Sequence, residues 1–384
     1  HISEKHGGSG YGLPELVVVV EELGRAVAPE PFVPTVVASA VLADAGSDEQ
    51  RDRLLPGLVD GSVVAAVGLG GDLRVEGPVE AATASGTAGV VLGAGRADLL
   101  LLRCGDDVLI VDRTAPGVTV EVPTNLDPTR RSARVTLDGA PATVLPGARR
   151  LLVDLARVLL AAEAVGMARA CTDAAAAYAK ERVQFGRPIG TFQAVKHHCA
   201  NMAVATELAT SAVWDAARAA SAGGDQLTYA AAVAATLAGP AADLCANLNT
   251  QVHGGIAITW EHDAHLFMRR ATTLLGLLEP DRAARELTDL TRRGVTRERS
   301  VELPPEAEAF RAEVRAFAER VKDLPPDEQR RELVDSGYAV PHWPKPWGRE
   351  AVAVEQLVIE QELAAAGITR PSYGITGRSE EHTS

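Results

Sequence analysis

Arg182-Val-Gln-Phe-Gly-Arg-Pro-Ile-Gly190, followed by Thr191-Phe-Gln-Ala-Val-Lys-His197, breaks an alanine-rich stretch whose apolar residues recur at helical spacing. That stretch runs from Leu151 to about Arg293, with further breaks at Gly223-Gly224-Asp225, Gly254-Gly255 and Pro280. The segments before Gly254 span roughly 25–30 residues each, long enough for an antiparallel helix bundle. On the N-terminal side, residues 61–145 change character. Val63–Val67, Gly89–Leu92, Leu99–Leu102, Val108–Val111, Val118–Val122 and Ala133–Leu137 are short strand-like runs broken by Gly, Asp and Pro, the pattern of a barrel or sandwich. Before them, residues 11–57 read as helical, with Leu13, Leu16, Val17, Val20 and Leu23 on the helical period.

The 384 residues carry a net charge of −13, with Lys and Arg outnumbered and dispersed, which argues against a nucleic-acid partner. Aromatics are only 4% against 46% hydrophobic residues, so the core must be built from small side chains packed closely. Cys104, Cys171, Cys199 and Cys245 lack metal-ligand spacing and read as buried thiols of a reducing compartment, hence a cytoplasmic chain. We see no secretory leader and no apolar run of ~18–20 residues, so no membrane span is expected.

Beyond the bundle, residues 296–305 read as a linker and 306–377 as helical again. There His342-Trp-Pro-Lys-Pro-Trp-Gly348, followed by Glu355-Gln-Leu-Val-Ile-Glu-Gln-Glu-Leu363, echoes His1-Ile-Ser-Glu-Lys-His-Gly7, followed by Glu15-Leu-Val-Val-Val-Val-Glu-Glu-Leu23. The offset is 341 residues for the first pair and 340 for the second, which reads as a duplication. The expected organisation is a truncated N-terminal helical domain (1–58), a central β domain (61–147), a helical bundle (149–295), the linker, and the helical opening of a second unit (306–377). Residues 378–384 read as a foreign or mistranslated tail.

The α–β–α order, the segment 182–197, Gln251-Val-His-Gly-Gly255 and Met268-Arg-Arg-Ala271 together resemble the acyl-CoA dehydrogenase family of flavoenzymes. The resemblance covers most of residues 1–295, and the composition is similar to fused, two-unit actinobacterial members. It implies an α+β fold with FAD as cofactor, an acyl-CoA thioester as substrate, and α,β-dehydrogenation in fatty-acid or sterol side-chain degradation. It also implies a homo- or hetero-oligomer with FAD at a dimer interface. The cofactor residues would be Arg182, Phe185, Gln193, Gln251, Gly254 and Gly255. Physical chemistry supports each role: a guanidinium can fork onto a diphosphate, and an amide near a helix N-terminus suits an anion. Glycines let a backbone approach closely. Singly, an arginine here also reads as a helix C-cap cation and Gly-Gly as a plain turn; the joint order carries the reading. Tyr178, Trp214 and Trp260 read as packing residues, and Lys196-His197-His198 as a solvated face.

The family's reaction needs a carboxylate base for the α-proton. The resemblance places it ten residues beyond Met268 or directly before an arginine on the first long bundle helix; these positions hold Leu278 and Ala156. Glu279 and Glu163 are the nearest substitutes. Glu279 is rotated about 100° from the first position, and Glu163 lies about 10.5 Å along the axis from the second. A buried carboxylate paired with an arginine is the competing account of Glu163, and Asp154 and Asp263 read as structural partners. In the β domain, Ala66–Asp72 and Val90–Ala94 stand where the family flanks the flavin ring, without its usual hydroxyl and indole groups. Residues 1–295 are therefore expected to be catalytically degenerate. The alternatives are a non-catalytic structural or regulatory unit, and a flavin monooxygenase or nitroalkane oxidase on the same fold, which needs no such base.

Overall fold

A computed structural model describes residues 1–29, 31–297, 303–304 and 307–371. The tail 378–384 and most of the linker lie outside them. The chain divides into two compact units, His1–Glu298 and Arg299–Ser384.

In the first unit three helices precede the sheet: α1 (Leu13–Arg25), α2 (Phe32–Ala45) and α3 (Asp48–Asp60). Ser47 starts α3 with a reciprocal cap, its hydroxyl accepting from the Gln50 amide while Gln50 accepts from the Ser47 N–H. Seven strands follow: β1 (Ala65–Gly68), β2 (Asp72–Glu76), β3 (Ala82–Val91), β4 (Leu99–Cys104), β5 (Asp107–Asp112), β6 (Val118–Glu121) and β7 (Ala133–Leu145). They form one curled sheet in the order β1-β4-β5-β7-β3-β2, with β6 also on β7. Only β1–β4 is parallel. Alternation sends Leu99 and Leu101 of β4 toward the helices and Leu100 and Leu102 into the sheet's own core, so all four leucines are buried.

The bundle comprises α4 (Arg149–Glu181), α5 (Gln193–Ala219), α6 (Gly224–His253), α7 (Ala264–Leu278) and α8 (Pro280–Arg292). The 33-residue α4 is longer than its sequence reading, and every residue from Asp154 to Ala168 is buried, as expected of a central helix. Alanines dominate the buried face of α6, the small-residue packing that the composition demands. Helix α1 crosses α4 in close backbone contact. A Cβ on Gly24 would stand 2.2 Å from the Glu163 carbonyl oxygen, and one on Gly166 1.9 Å from that of Glu21. One expectation needs correcting: α6 with its following turn is long and apolar enough, at mean hydropathy 1.3, to cross a bilayer. It is 61% buried in the bundle over that window and serves as a core helix.

The second unit holds α9 (Ala307–Val321), α10 (Pro326–Asp335) and α11 (Ala353–Ala365) around Val314, Phe317, Leu333, Tyr338, Val358, Ile359 and Leu363. The repeat seen in sequence recurs in backbone detail. α1 and α11 are both 13 residues long, at an offset of 340. Glu15 Oε2 accepts from the Gly12 N–H at 2.9 Å, and Glu355 Oε2 from the Val352 N–H at 3.0 Å. At the other end, Ala28 N–H donates to Leu23 O at 2.9 Å and Ile368 N–H to Leu363 O at 2.9 Å. The residues that turn there are left-handed, Val27 at φ +46° and Gly367 at φ +71°.

Candidate cofactor and substrate site

At the end of α4 the chain turns through a small hairpin of β8 (Val183–Gln184) and β9 (Arg187–Pro188). Its two-residue loop, Phe185-Gly186, has positive φ at both positions, +52° and +74°, as a type I′ turn requires. A bulky aromatic is a poor choice there, yet Phe185 is also 92% exposed, edge-on to Phe192 at 6.1 Å. Strain and exposure in one side chain point to a role outside this chain's own packing. The hairpin is tied down by Ile189 N–H donating to Arg182 O and by the Arg187 guanidinium 4.2 Å over the Phe192 ring. The Arg182 side chain is exposed and makes no hydrogen bond or ion pair among the described residues. Gln193, also exposed, opens α5, whose first turn carries no acidic residue, so its positive end is uncompensated.

The second motif lies at the same end of the bundle. His253, the last residue of α6, stacks on Tyr178 of α4 at 4.3 Å and meets His262 at 4.7 Å. Its Nδ1 donates to Asn249 O, and burial holds its pKa below the usual histidine range. Gln251 is exposed. Gly254 has φ +65°, which favours glycine, and a Cβ on either Gly254 or Gly255 would meet nothing within 4 Å. The space above these glycines is open, as a cradle for a nucleotide requires. Ile258 (82% exposed) and Trp260 (72%) follow, so Trp260 is an exposed residue and not the packing residue expected. Arg269 lies 5.1 Å over its ring. Arg182, Phe185, Gln193, Gln251, Gly254 and Gly255 thus share one bundle end, and a free cation, two amides and open glycines fit a dinucleotide.

A separate apolar cleft opens between the sheet and the bundle. It measures about 320 Å³ including its open mouth and is lined by Pro34, Val37, Val67, Leu69, Val90, Leu92, Ala156, Leu160 and Leu277. The two stretches expected beside the ring meet here, through paired hydrogen bonds between Val67 and Leu92. Gly71, by contrast, is required by packing, since a Cβ there would stand 2.3 Å from Thr87 O. Ala156 faces the cleft as expected, but Leu277 does so in place of Leu278, which packs near Gly239 of α6. No lining residue can take a proton.

Neither substitute base reaches the cleft. Glu279 sits at a left-handed turn (φ +45°), half exposed, and pairs with Arg282 at 2.9 Å. Glu163 is the arginine-paired buried carboxylate of its competing account, within a quartet whose other members sequence reading did not name: it accepts from Arg130 and Arg270, and Arg270 also donates to Asp127. All four are at most 2% exposed. Arg270 further donates to Ala28 O at 3.0 Å, so the quartet joins α4, α7, the 127–130 loop and the α1–α2 connection. Burial raises and Arg270 lowers the pKa of Asp127, and the lowering wins. The signal in the sequence was faint: Asp127-Pro128-Thr129 closes a local turn, with Asp127 Oδ1 accepting the Thr129 N–H. Asp154 is also structural. Thr228 donates to it at 2.5 Å, Arg157 lies 3.9 Å away, and burial pushes its pKa up to about 6.

Residues 1–62 match the family description "Acyl-CoA dehydrogenase, N-terminal domain" and residues 149–275 "Acyl-CoA dehydrogenase, C-terminal domain". Acyl-CoA dehydrogenase FadE34 of Mycobacterium tuberculosis is 43% identical over 376 residues, 97% of this chain and 52% of the relative, so the chain spans about half of that protein. Acyl-CoA dehydrogenase IpdE2 of the same organism is 37% identical over 283 residues, 73% of this chain and 78% of the relative. Among solved structures, a variant of the Tcur3481-Tcur3483 steroid ACAD superposes with a TM-score of 0.71 at 34% identity, covering 76% of this chain and 84% of that one. A glutaryl-coenzyme A dehydrogenase complex gives 0.68 at 25%, covering 77% and 84%. With the architecture, the bundle-end motifs and these relatives in agreement, the chain belongs to the acyl-CoA dehydrogenase family.

Proposed function

We propose that residues 1–298 form a flavin-holding unit of a two-unit acyl-CoA dehydrogenase, a unit without a proton acceptor of its own, and that residues 303–371 begin the second unit, which continues to the catalytic centre. The observation that carries this reading is the contrast between the two sites. The bundle end keeps an uncommitted arginine, two exposed amides and open glycines, while the cleft is aliphatic throughout. FAD, when bound, supplies the two-electron acceptor for α,β-dehydrogenation of an acyl-CoA thioester. Arg182 would hold its diphosphate, Phe185 would pack against the cofactor, Gln193 and Gln251 would offer amides, and Gly254 and Gly255 would permit close approach across a protomer interface. The exposed apolar loop Ile256–Trp260 supports such an interface. The cleft accepts an apolar acyl group and excludes water from it, but nothing there removes a proton. The match to FadE34 extends through the second unit, which supports the two-unit reading. The likeness to a steroid ACAD favours a bulky acyl group, and the free thiols suit the cytoplasm.

The test is a visible spectrum and a dye-reduction assay on the 384-residue chain. It is expected to take up FAD, to lose it with Arg182→Ala, and to reduce no dye with a panel of acyl-CoAs. Turnover by this chain alone overturns the base-free reading. A colourless chain that oligomerises but takes up no added FAD favours the second reading, a purely structural partner, which the aliphatic cleft also permits.

A further inference from the structure

The helix-facing row of β4, Leu99 and Leu101, ends in a charge. Arg103 is the next residue of that row, opposite Val108 of β5, which is buried in the same helix-facing core. Its guanidinium donates to Leu69 O at 3.3 Å, and Leu69 lines the apolar cleft. Arg103 makes no ion pair among the described residues. Two further cations converge on it. Arg149 opens α4, seven residues before Ala156 and so two turns back on the cleft's own face, about 10.5 Å along the axis. Arg282 stands in the first turn of α8, five residues past the cleft residue Leu277. Burial depresses the Arg103 pKa, and the charges of Arg149 and Arg282 depress it further against the opposing pull of Glu279. Arg149 pairs with Asp106 and Arg282 with Glu279, both at 2.9 Å, so three guanidiniums meet two carboxylates and one positive charge is left over. The positive end of α4 adds to it, because Ala148 supplies no side-chain cap and the first turn holds no acidic residue. In a chain of net charge −13 this is a local reversal of sign, at the edge of a cleft whose lining is otherwise aliphatic.

We propose that Arg103, Arg149 and Arg282 form an anion grip at the mouth of the cleft, which takes the phosphate groups of an acyl thioester whose apolar end fills the cleft. The unit without a base then binds the phosphorylated thioester and holds it without turnover. Guanidinium forks match phosphate oxygens, and the surface pairs of Arg149 and Arg282 are weak enough to be exchanged for them. Arg103 is fixed in place by Leu69 O. The inference rests on the acyl-CoA reading of the cleft, but its test needs neither flavin nor turnover.

The experiment measures binding to the 384-residue chain by titration calorimetry at low and high salt. The probes are octanoyl-CoA, octanoylpantetheine, which lacks the phosphates and nucleoside, and the adenosine bisphosphate portion alone. Octanoyl-CoA is expected to bind roughly tenfold or more tightly than octanoylpantetheine at low salt, with the gap closing as salt rises. Arg103→Gln is expected to remove most of that advantage and to leave octanoylpantetheine unchanged, while Arg103→Lys keeps part of it. Arg282→Gln, at an exposed position, is expected to cause a smaller loss of the same kind. Equal affinities for the two thioesters, a gap that salt does not move, or an Arg103→Gln loss shared equally by both overturns the proposal. So does the bisphosphate alone binding as tightly as octanoyl-CoA, because the cleft then contributes nothing. Loss of FAD uptake in Arg103→Gln with thioester binding unchanged also overturns it, by giving the cluster to the cofactor's phosphates. A chain that takes up no FAD yet shows the expected ratios leaves the grip standing while the flavin reading falls.

Discussion

Replacing Glu163 by Gln removes one negative charge from a quartet whose formal charges otherwise cancel: Arg130 and Arg270 against Asp127 and Glu163. Both arginines are at most 2% exposed, so the surplus positive charge cannot be taken up by water without opening the fold. Removing one partner of such a buried arrangement costs about 3–5 kcal/mol. Against the roughly 5–15 kcal/mol typical of a whole domain, that is a large share. Urea unfolding followed by circular dichroism should show the midpoint falling with little change in slope. The paired replacement Glu163→Met with Arg270→Met should cost at least about 2 kcal/mol less than the sum of its parts, because it leaves Arg130 with Asp127. If Glu163→Gln instead left stability within about 0.5 kcal/mol of the parent and altered acyl-CoA chemistry, the structural account would be refuted and the carboxylate would regain its standing as a candidate base.

Gly166→Ala forces a Cβ into the Glu21 carbonyl oxygen at 1.9 Å and should destabilise the α1–α4 crossing by roughly 1–3 kcal/mol; a melting curve matching the parent would show that the helices can separate freely. Asp154 keeps its proton in the folded chain up to about pH 6, against an ordinary value of 3.8, so its contribution is complete below about pH 4 and is lost as pH rises through 6. Asp154→Asn should therefore match the parent near pH 4 and exceed it by roughly 2–3 kcal/mol above pH 7, and urea midpoints whose difference stays constant over that range would contradict the assignment.

Strongly periodic or punctuated segments were legible from sequence. The Phe185-Gly186 turn, the Gly254 break and the capped helices α3 and α11 declare themselves through local chemistry. Strand β2 and the first half of β3 did not. Ala82-Thr-Ala-Ser-Gly-Thr-Ala88 has little intrinsic strand preference, and it is extended because β7 and β2 pair along its two sides. The quartet was out of reach for a different reason: Asp127 and Arg270 lie 143 residues apart, and nothing local marks either as half of a pair. The base is the opposite case. The aliphatic residues at its two expected positions, Ala156 and Leu278, were visible in the sequence, while the structure alone shows that Leu277 turns toward the cleft.

The length of α4 separates the two sites. Ala156 in the cleft and Arg182, just past the end of α4, lie 26 residues apart, about 39 Å along the helix axis. On the proposed reading, a dinucleotide held by Arg182 would take its cleft from a neighbouring protomer, because this separation exceeds the reach of one cofactor. The aliphatic lining of the cleft leaves the diphosphate grip at the other end untouched, and the cleft, where the two stretches expected beside the flavin ring meet, would still receive the ring. This arrangement predicts complementation. Arg182→Ala spoils the grip and Ala156→Phe fills the cleft, so neither protein alone should bind FAD well. In random two-fold dimers formed by unfolding and refolding the two together, half the molecules are mixed, each with one site built from two unaltered halves, so about a quarter of all sites should recover. Flavin bound per chain, measured after gel filtration, decides it: recovery near that level requires grip and cleft to come from different chains, and no recovery above the separate variants would place both in one protomer and refute the shared site.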